Sequence, residues 1–255
     1  MSRLAVTWWG HSSMSIELDG IRVATDPLLT RRLFHLRRPT PVPPPEAARA
    51  DVVLISHLHR DHLHLPSLRR FDPTVPVVVP RGTGALFKGL GRSSLVEVAP
   101  GDGLEVAGVQ LQVLPARHDG RRSIWEKSAV PALGFRLAAR GSSCWYPGDT
   151  GVRDDFADVA PVDLAAVPIG GWGPSLGEEH LDPVEAAAAV AEVGARWALA
   201  VHYGTFWPMT LRQLKPANHQ LLFVTPPARF RQAVVDTGVK TEPLTPEHGL
   251  RLELA

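Results

Sequence analysis

The sequence predicts an α/β fold in which sheet layers are covered by helices. Three observations lead to this prediction: short apolar runs typical of strands outnumber the helical segments, several helices lie between strands, and 44% of the residues are hydrophobic. This composition can fill a sizeable core, and strands that alternate with helices favour sheets with helices on their faces. We expect residues 1–255 to form one domain, as α/β chains of this length often do.

The first elements are predicted by alternation of apolar and polar residues. Segments 14–18 and 21–25 alternate on either side of Asp19-Gly20, which is a strong hairpin signal. Residues 31–49 place four arginines before five prolines and predict a surface loop that is partly extended. The run "VVLIS" at 52–56 predicts a buried strand. Because strands flank the basic loop, we do not expect a domain boundary there.

The later elements follow from short apolar runs and helix signals. Further strands are predicted at 76–79, 94–98, 109–114, 132–138, 143–146, 163–168, 197–201 and 250–254, and helices near 64–71, 83–90, 153–159, 183–194 and 227–237. The clearest helix has the sequence "DPVEAAAAVAEVG". In it Asp182 can cap the helix, Pro183 suits the first turn, and Gly194 can end it.

Charge and cysteine content restrict the function classes. The chain has 27 Lys and Arg against 26 Asp and Glu, which argues against a nucleic-acid binder driven by bulk charge. The single cysteine, Cys144, cannot form an intrachain disulfide, which fits a reducing compartment. The first residues lack the apolar core of a signal peptide, and no apolar run reaches the roughly 18 residues of a membrane span. We therefore expect a cytoplasmic protein, whose oligomeric state the sequence leaves open.

A histidine cluster follows the buried strand at 52–56, in the stretch "SHLHRDHLH" at 56–64. His57 and His59 can face the same side, because residues two apart on an extended chain do. Asp61 and His62 lie beyond the strand and can turn toward a position next to the one that His57 and His59 face. Imidazoles and carboxylates are typical zinc ligands, so the cluster predicts a metal site, with His64 outside it.

Distant residues must complete a site for two metals, because one loop offers too few ligands. Three polar residues follow apolar strands and stand beside glycine-containing loops: His118, Asp149 and His202. Strand ends are places where a rigid scaffold can hold reactive groups. We expect these three residues to join the cluster.

The motifs resemble a known family. "HLHRDH" matches the His-x-His-x-Asp-His signature of the metallo-β-lactamase superfamily, and the order of His118, Asp149 and His202 matches its later ligands. The stretches "WWGHSSMSIELDGIRVATDPLL", "LISHLHRDHL", "YPGDTG", "APVDLAAVPIGGW", "HLDPVEAAAAV" and "VHYGTF" resemble the branch that contains N-acylphosphatidylethanolamine-hydrolysing phospholipase D, with ascorbate-6-phosphate lactonases as a more distant neighbour. Together they span residues 8–207.

The resemblance implies a four-layer αβ/βα sandwich with a two-metal centre at one edge. It assigns His57, His59 and His118 to one ion, and Asp61, His62 and His202 to the other, with Asp149 bridging the two. The expected cofactors are two divalent ions, zinc first, with manganese and iron as alternatives. Two such ions can lower the pKa of a shared water, so the resemblance implies a hydrolase.

Four further residues are candidates around the metals. Asp61 can orient the attacking water as well as bind a metal, and His180 can assist the leaving group or compete with His202 as a ligand. The resemblance implies that Asp26 lies beneath the site, where it would fix a histidine tautomer. His11 and Trp172 can also approach the site or the substrate.

Three function classes remain open at this stage. The first is a hydrolase of phosphodiesters with a small-molecule or lipid-like anionic substrate, and the second is a hydrolase of lactones or carbonyl esters. The third is a metal-binding scaffold without catalysis. The basic loop at 31–38 could meet an anionic group, whereas the stretch "GGWGPSLGEEH" at 170–180 is small and polar, unlike the phospholipase, which argues against a membrane-bound lipid substrate.

Overall fold

Two seven-stranded sheets form most of the structure, a computed structural model that describes residues 4–122, 130–159, 161–173 and 177–254. The strands are β1 (Leu4–Gly10), β2 (Ser13–Leu18), β3 (Ile21–Thr25), β4 (Arg32–Leu33), β5 (Leu36–Arg37), β6 (Val52–Leu54), β7 (Val77–Pro80), β8 (Leu95–Val98), β9 (Gly103–Val106), β10 (Val109–Asp119), β11 (Pro131–Ala139), β12 (Ser142–Tyr146), β13 (Leu164–Pro168), β14 (Trp197–Val201), β15 (Trp207–Pro208), β16 (Glu242–Leu244) and β17 (Arg251–Leu254). The helices are α1 (Leu65–Leu68), α2 (Pro183–Val193), α3 (Leu211–Leu214), α4 (Pro216–His219) and α5 (Pro226–Asp236), with 3-10 helices at Pro45–Ala48, Gly84–Leu90 and Phe156–Val159 and a π-helical segment at Gln220–Val224.

The strand directions place many strand ends at one edge of each sheet. The first sheet has the order β17-β1-β2-β3-β6-β7-β8, and the second has the order β16-β14-β13-β12-β11-β10-β9. Strands β1, β3 and β6 run in one direction, because β2 is antiparallel to both of its neighbours and β6 is parallel to β3. Strands β10, β12, β13 and β14 likewise share a direction. Parallel strands end together, so loops from each sheet gather at a common edge, where α/β proteins usually bind ligands.

The main core lies between the two sheets. Apolar side chains from both sheets, including Trp8, Ile16, Phe135 and Tyr146, are almost fully buried in one cluster there. The outer face of the second sheet packs against α2 and α5. The outer face of the first sheet is covered by α1 and the 3-10 helices at Pro45–Ala48 and Gly84–Leu90. The predicted four-layer αβ/βα arrangement is confirmed.

Helix α2 forms where the sequence predicts it. The Asp182 carboxylate accepts hydrogen bonds from the backbone N–H groups of Val184 and Glu185, and Gly194 adopts the left-handed conformation that ends the helix. Its small buried face of alanines and valines lets the helix pack closely on the second sheet. Helix α2 therefore fixes the position of the chain just before it, which contains His180.

Three predicted helices are shorter or tighter than expected. The helix expected at 64–71 is one α-helical turn, and those expected at 83–90 and 153–159 are 3-10 helices. Such short segments, interrupted by glycine or followed by proline, cannot repay the cost of starting an α-helix. The short helices between Leu211 and Val224 were not predicted, because this segment has no clear apolar period and contains Pro216.

The expectation of a surface loop at 31–49 is wrong in part. Strands β4 and β5 form a hairpin that pairs with β15, and this ribbon stands beside the edge where the strands end. Arg38, Ala47 and Ala48 are buried. The Arg38 guanidinium donates to the carbonyls of Trp9, Leu28 and Thr30, so it holds loops together instead of facing an anion.

Among the described helices, none is long and apolar enough to span a bilayer.

Candidate metal centre

A three-histidine group consists of His57, His59 and His118. His57 and His59 follow β6 of the first sheet, and His118 lies near the end of β10 in the second. The Nδ1 atom of His59 lies 3.0 Å from Nε2 of His57 and 3.1 Å from Nε2 of His118. Burial lowers the pKa of all three, and that of His118 to about 4, so the rings are neutral at pH 7. Three converging neutral imidazoles form a donor set that fits a divalent cation.

A second set, the Asp61 group, consists of Asp61, His62 and His202 together with His11. The Nε2 atoms of His62 and His202 are 3.3 Å apart, and Nε2 of His11 lies 3.0 Å from Oδ2 of Asp61. The ligand atoms of all four residues lie within 4.8 Å of one another. His11 is thus closer to the centre than the sequence predicted, since it touches Asp61 directly.

Asp149 stands between the two groups. Its Oδ2 atom lies 3.2 Å from Nε2 of His62 and 3.0 Å from Nε2 of His202, and the residue also groups with His118 and His180. Its Oδ1 atom is buried and has no hydrogen-bond partner among the described residues. Burial would raise the pKa of Asp149, but His202 and His62 outweigh it and hold the pKa well below the usual value. A buried, ionised carboxylate between two ligand groups fits a bridging position.

Asp26 lies beneath the Asp61 group, as the sequence predicts. The carboxylate is fully buried and accepts hydrogen bonds from Ser56 N at 2.8 Å, Ser56 Oγ at 2.5 Å and Tyr146 OH at 2.5 Å. Its Oδ2 atom also lies 2.7 Å from Nδ1 of His62. A proton on Nδ1 leaves the Nε2 lone pair of His62 free to face the metal site, an arrangement that raises ligand basicity.

Two histidines of the three-histidine group have partners that the sequence did not reveal. The Ser56 hydroxyl lies 2.9 Å from Nδ1 of His57. Nδ1 of His118 lies 3.2 Å from the Glu179 carbonyl and 3.5 Å from its carboxylate. Ser56 directly precedes the cluster and could have been noticed there, whereas Glu179 is brought in only by the fold.

His180 lies on the rim of the centre. Its Nε2 atom is 3.5 Å from Oδ2 of Asp149, and its ring packs near His118 and His202. Burial lowers the pKa of His180, but the Asp149 carboxylate outweighs it and raises the pKa above its usual value. His202, not His180, belongs to the Asp61 group, so the geometry favours His202 for the ligand role that the sequence left open.

Gly171 is a further residue that sequence reasoning missed. It has a φ of +82°, and a Cβ atom there would lie 2.6 Å from Cδ2 of His180 and 3.0 Å from Cε1 of His202. Only glycine lets the backbone approach both imidazoles so closely. The signal in the sequence is the pair of glycines that follows strand β13 after Ile169.

A pocket of about 220 Å³ opens beside the Asp61 group. Asp61, whose side chain is 34% exposed, lies in its wall, as does Trp172, whose indole N–H donates to the Ile169 carbonyl. The remaining wall is mostly apolar: Leu33, Leu36, Tyr203, Phe206, Pro208, Leu222 and Phe223. The stretch between Ile169 and His180 is small and polar, so other segments supply the apolar wall of the pocket. Residues 174–176 of that stretch lie outside the described residues.

His64 lies outside both ligand groups, as the sequence predicts. Its Nδ1 atom is 2.7 Å from the Ser67 hydroxyl at the start of α1. The seven predicted ligands and His180 come together at one edge, so the structure assembles the candidate site from both sheets.

Comparison with known proteins places the chain in a family. The family model described as a beta-lactamase superfamily domain matches residues 21–203. A metal-dependent hydrolase of Methanopyrus kandleri is 27% identical, with 96% of this chain and 98% of that protein aligned. An N-acyl-phosphatidylethanolamine-hydrolyzing phospholipase D of Caenorhabditis elegans is 28% identical, with 80% of this chain and 65% of that protein aligned.

A solved structure supports the fold. The metallo hydrolase Igni18 from Ignicoccus hospitalis matches with a TM-score of 0.75 at 21% identity, over 99% of both chains. The family model covers well over half of the sequence, and it includes the histidine cluster, His118, Asp149 and His202. The chain therefore belongs to the beta-lactamase superfamily, as one of its metal-dependent hydrolases.

Proposed function

We propose that this chain is a dinuclear hydrolase that cleaves phosphodiester bonds. The observation that carries the proposal is the position of Asp149 between two complete ligand groups. The three-histidine group would hold one ion, Asp61, His62 and His202 would hold the other, and Asp149 would bridge them. Nitrogen and carboxylate donors favour zinc, with manganese and iron as alternatives.

The ions would supply a water of lowered pKa and positive charge where negative charge develops in the transition state. The protein's own groups do the rest. The Asp61 carboxylate faces the pocket and can accept a hydrogen bond from the attacking water, which orients that water. His180 can hold a proton at Nε2, next to Asp149, and donate it to the leaving oxygen.

The phosphodiester assignment rests on the phospholipase D relative, and the pocket indicates only an apolar substituent. An apolar pocket beside the Asp61 group suits a substrate whose phosphate or carbonyl carries an apolar substituent. Lactone or carbonyl-ester hydrolysis would use the same centre, so the substrate must be decided by assay. Arg38 does not take part in anion recognition, because its guanidinium is already bound to backbone carbonyls.

The test combines metal content with activity. Protein purified without chelators should contain close to two divalent ions per chain and should hydrolyse bis-p-nitrophenyl phosphate faster than a panel of lactones. Replacing Asp149 by alanine should abolish hydrolysis and lower metal content, because both ions lose a shared anionic ligand. Asp155→Ala is the matched control, since Asp155 pairs with Arg153 on the surface. One ion or none after reconstitution would contradict the dinuclear proposal, and faster lactone cleavage would contradict the phosphodiester assignment.

A further inference from the structure

Positive charge is concentrated in the two segments that wall the pocket. Residues 27–45 and 203–235 contain eight lysines and arginines and no aspartate or glutamate. The rest of the chain has 19 basic and 26 acidic residues, so the near-zero net charge conceals a strong asymmetry. A region of one sign attracts oppositely charged partners even when the whole protein is nearly neutral.

Four of these arginines lie together and carry no ion pair. One cleft is lined by Arg31, Arg32, Arg37 and Arg212 together with Trp207 and Met209. None of the four contacts a carboxylate in the described part of the chain. By contrast, Arg38 is buried and Arg229 pairs with Asp182, so these two do not contribute. The cleft thus presents unpaired guanidinium groups to an outside partner.

The ribbon of β4, β5 and β15 has two chemically different sides. Leu33 pairs with Leu36, which also pairs with Pro208, and all three line the pocket. Arg32 pairs with Arg37, which also pairs with Trp207, and this neighbouring row faces the cleft. Since neighbouring residues of a strand point to opposite sides, the ribbon has an apolar pocket face and a basic outer face.

Exposed apolar side chains border the same region. Phe34, at the tip of the hairpin, is 70% exposed, Met209 is 62% exposed and Leu214 is 75% exposed. The Arg60 guanidinium lies 5.5 Å from the centre of the Phe34 ring. Arg60 directly precedes Asp61, which lies in the pocket wall. Single exposed apolar residues are ordinary, but a group of them mixed with cations is typical of surfaces that bind lipid.

We propose that the hairpin and the segment 207–214 dock the protein onto an anionic lipid surface. The arginines of the cleft bind headgroup phosphates, and Phe34, Met209 and Leu214 enter the interface. Because the same ribbon walls the pocket, docking brings the pocket next to the lipid. The inference goes beyond the proposed hydrolysis, since binding to vesicles requires no turnover.

The test measures sedimentation of the metal-loaded protein with sucrose-loaded vesicles. We expect binding to vesicles of phosphatidylcholine and phosphatidylglycerol at 7:3, little binding to phosphatidylcholine alone, and weaker binding as NaCl rises from 0.1 to 0.5 M. Each arginine near an anionic surface strengthens partitioning about fivefold, so Arg32→Gln/Arg37→Gln should weaken it about 25-fold. Phe34→Ser should reduce the binding that persists at high salt.

Matched controls separate this face from general charge. Arg69→Gln/Lys240→Gln removes the same charge from exposed positions elsewhere, and Val235→Ser removes an exposed apolar side chain from α5. Both controls should bind like the wild type, and hydrolysis of soluble bis-p-nitrophenyl phosphate should be the same in the Arg32/Arg37 variant as in the wild type.

Absence of binding to anionic vesicles, or equal losses in the variants and the controls, would overturn the proposal. Binding to duplex DNA in place of vesicles, lost in the Arg32/Arg37 variant, would also overturn it and assign the face to nucleic acid. Vesicle binding by a protein that hydrolyses neither bis-p-nitrophenyl phosphate nor a lactone would leave the docking proposal intact and refute the proposed function alone.

Discussion

Replacement of Asp26 by asparagine isolates the role of the carboxylate under the Asp61 group. The side chain keeps its shape, but Oδ2, which accepts from Ser56 Oγ and Tyr146 OH and meets Nδ1 of His62, becomes an amide NH₂. The serine and tyrosine hydroxyls can rotate and accept a hydrogen bond from this amide. The His62 ring can adapt only by moving its proton to Nε2, which removes the lone pair needed to bind a metal.

The size of the effect follows from this loss. Partners that orient a ligating histidine typically contribute 10–100-fold in metal affinity, or about 1.4–2.8 kcal/mol. The ion bound by the Asp61 group should weaken most, because His62 contacts Asp26 directly, whereas His57 reaches Asp26 only through the Ser56 hydroxyl in the described contacts. Asp26→Ala is a poorer test, since it leaves buried donors unsatisfied at about 1–3 kcal/mol each and can unfold the protein.

The assay is a chelator titration of the zinc-loaded protein, followed by elemental analysis and by hydrolysis rate. Asp26→Asn should lose one of two ions at a 10–100-fold lower chelator concentration than the wild type, and excess zinc should restore activity. Asp51→Asn is the control, because the Asp51 carboxylate only accepts from the backbone of Arg22 at the surface. If the variant retained both ions with wild-type affinity, Asp26 would serve packing alone and the tautomer argument would be wrong.

Three further predictions test separate parts of the structure. His202→Ala should lower metal content, whereas His180→Ala should keep both ions and slow hydrolysis about 10²–10⁴-fold, less with a p-nitrophenolate leaving group; the opposite metal contents would reverse the two roles. Gly171→Ala should push both imidazoles aside and reduce metal content and activity, whereas Gly177→Ala, also left-handed but without close neighbours among the described residues, should not. Burial and Arg38 lower the pKa of His248 to about 4, so its neutral form stabilises the fold above pH 6.5 and this stability is lost as the pH falls toward 4. Between pH 7.5 and pH 5, this pKa shift should lower the free energy of unfolding of the metal-free protein by about 2 kcal/mol. Urea unfolding should show that His248→Gln abolishes this loss; an unchanged pH dependence would refute the role of His248.

The ligands could be predicted because each one ends or follows an apolar strand. A strand such as β6 can be predicted from a few apolar residues, and the polar residues that follow it are then candidate ligands. That reasoning needs no knowledge of which strands are neighbours, only that strand ends meet at an edge. The four-layer order and the division of ligands between ions came from the resemblance, because no local pattern carries that information.

His11 shows what local reasoning cannot supply. Its place in the Asp61 group depends on a φ of +53° and on two contacts far along the chain: its N–H donates to Thr205 Oγ1, and its carbonyl accepts from His202 N. Residues nearly two hundred positions apart become neighbours only when β1 and β14 lie in facing sheets. The same holds for the pocket, whose walls come from the hairpin and from irregular helices after Phe206.

The division of the ligands between two groups also determines how protons and cations compete at the centre. In the three-histidine group, burial keeps the rings neutral, so a cation can bind without displacing a proton. In the Asp61 group, burial lowers the pKa of His62, but Asp149 and Asp61 outweigh it and raise the pKa well above 6.5. A proton on His62 therefore balances the carboxylates that the sheets bring together when no metal is bound. A divalent ion in the Asp61 group must replace that proton, so acid should weaken this site more than the other.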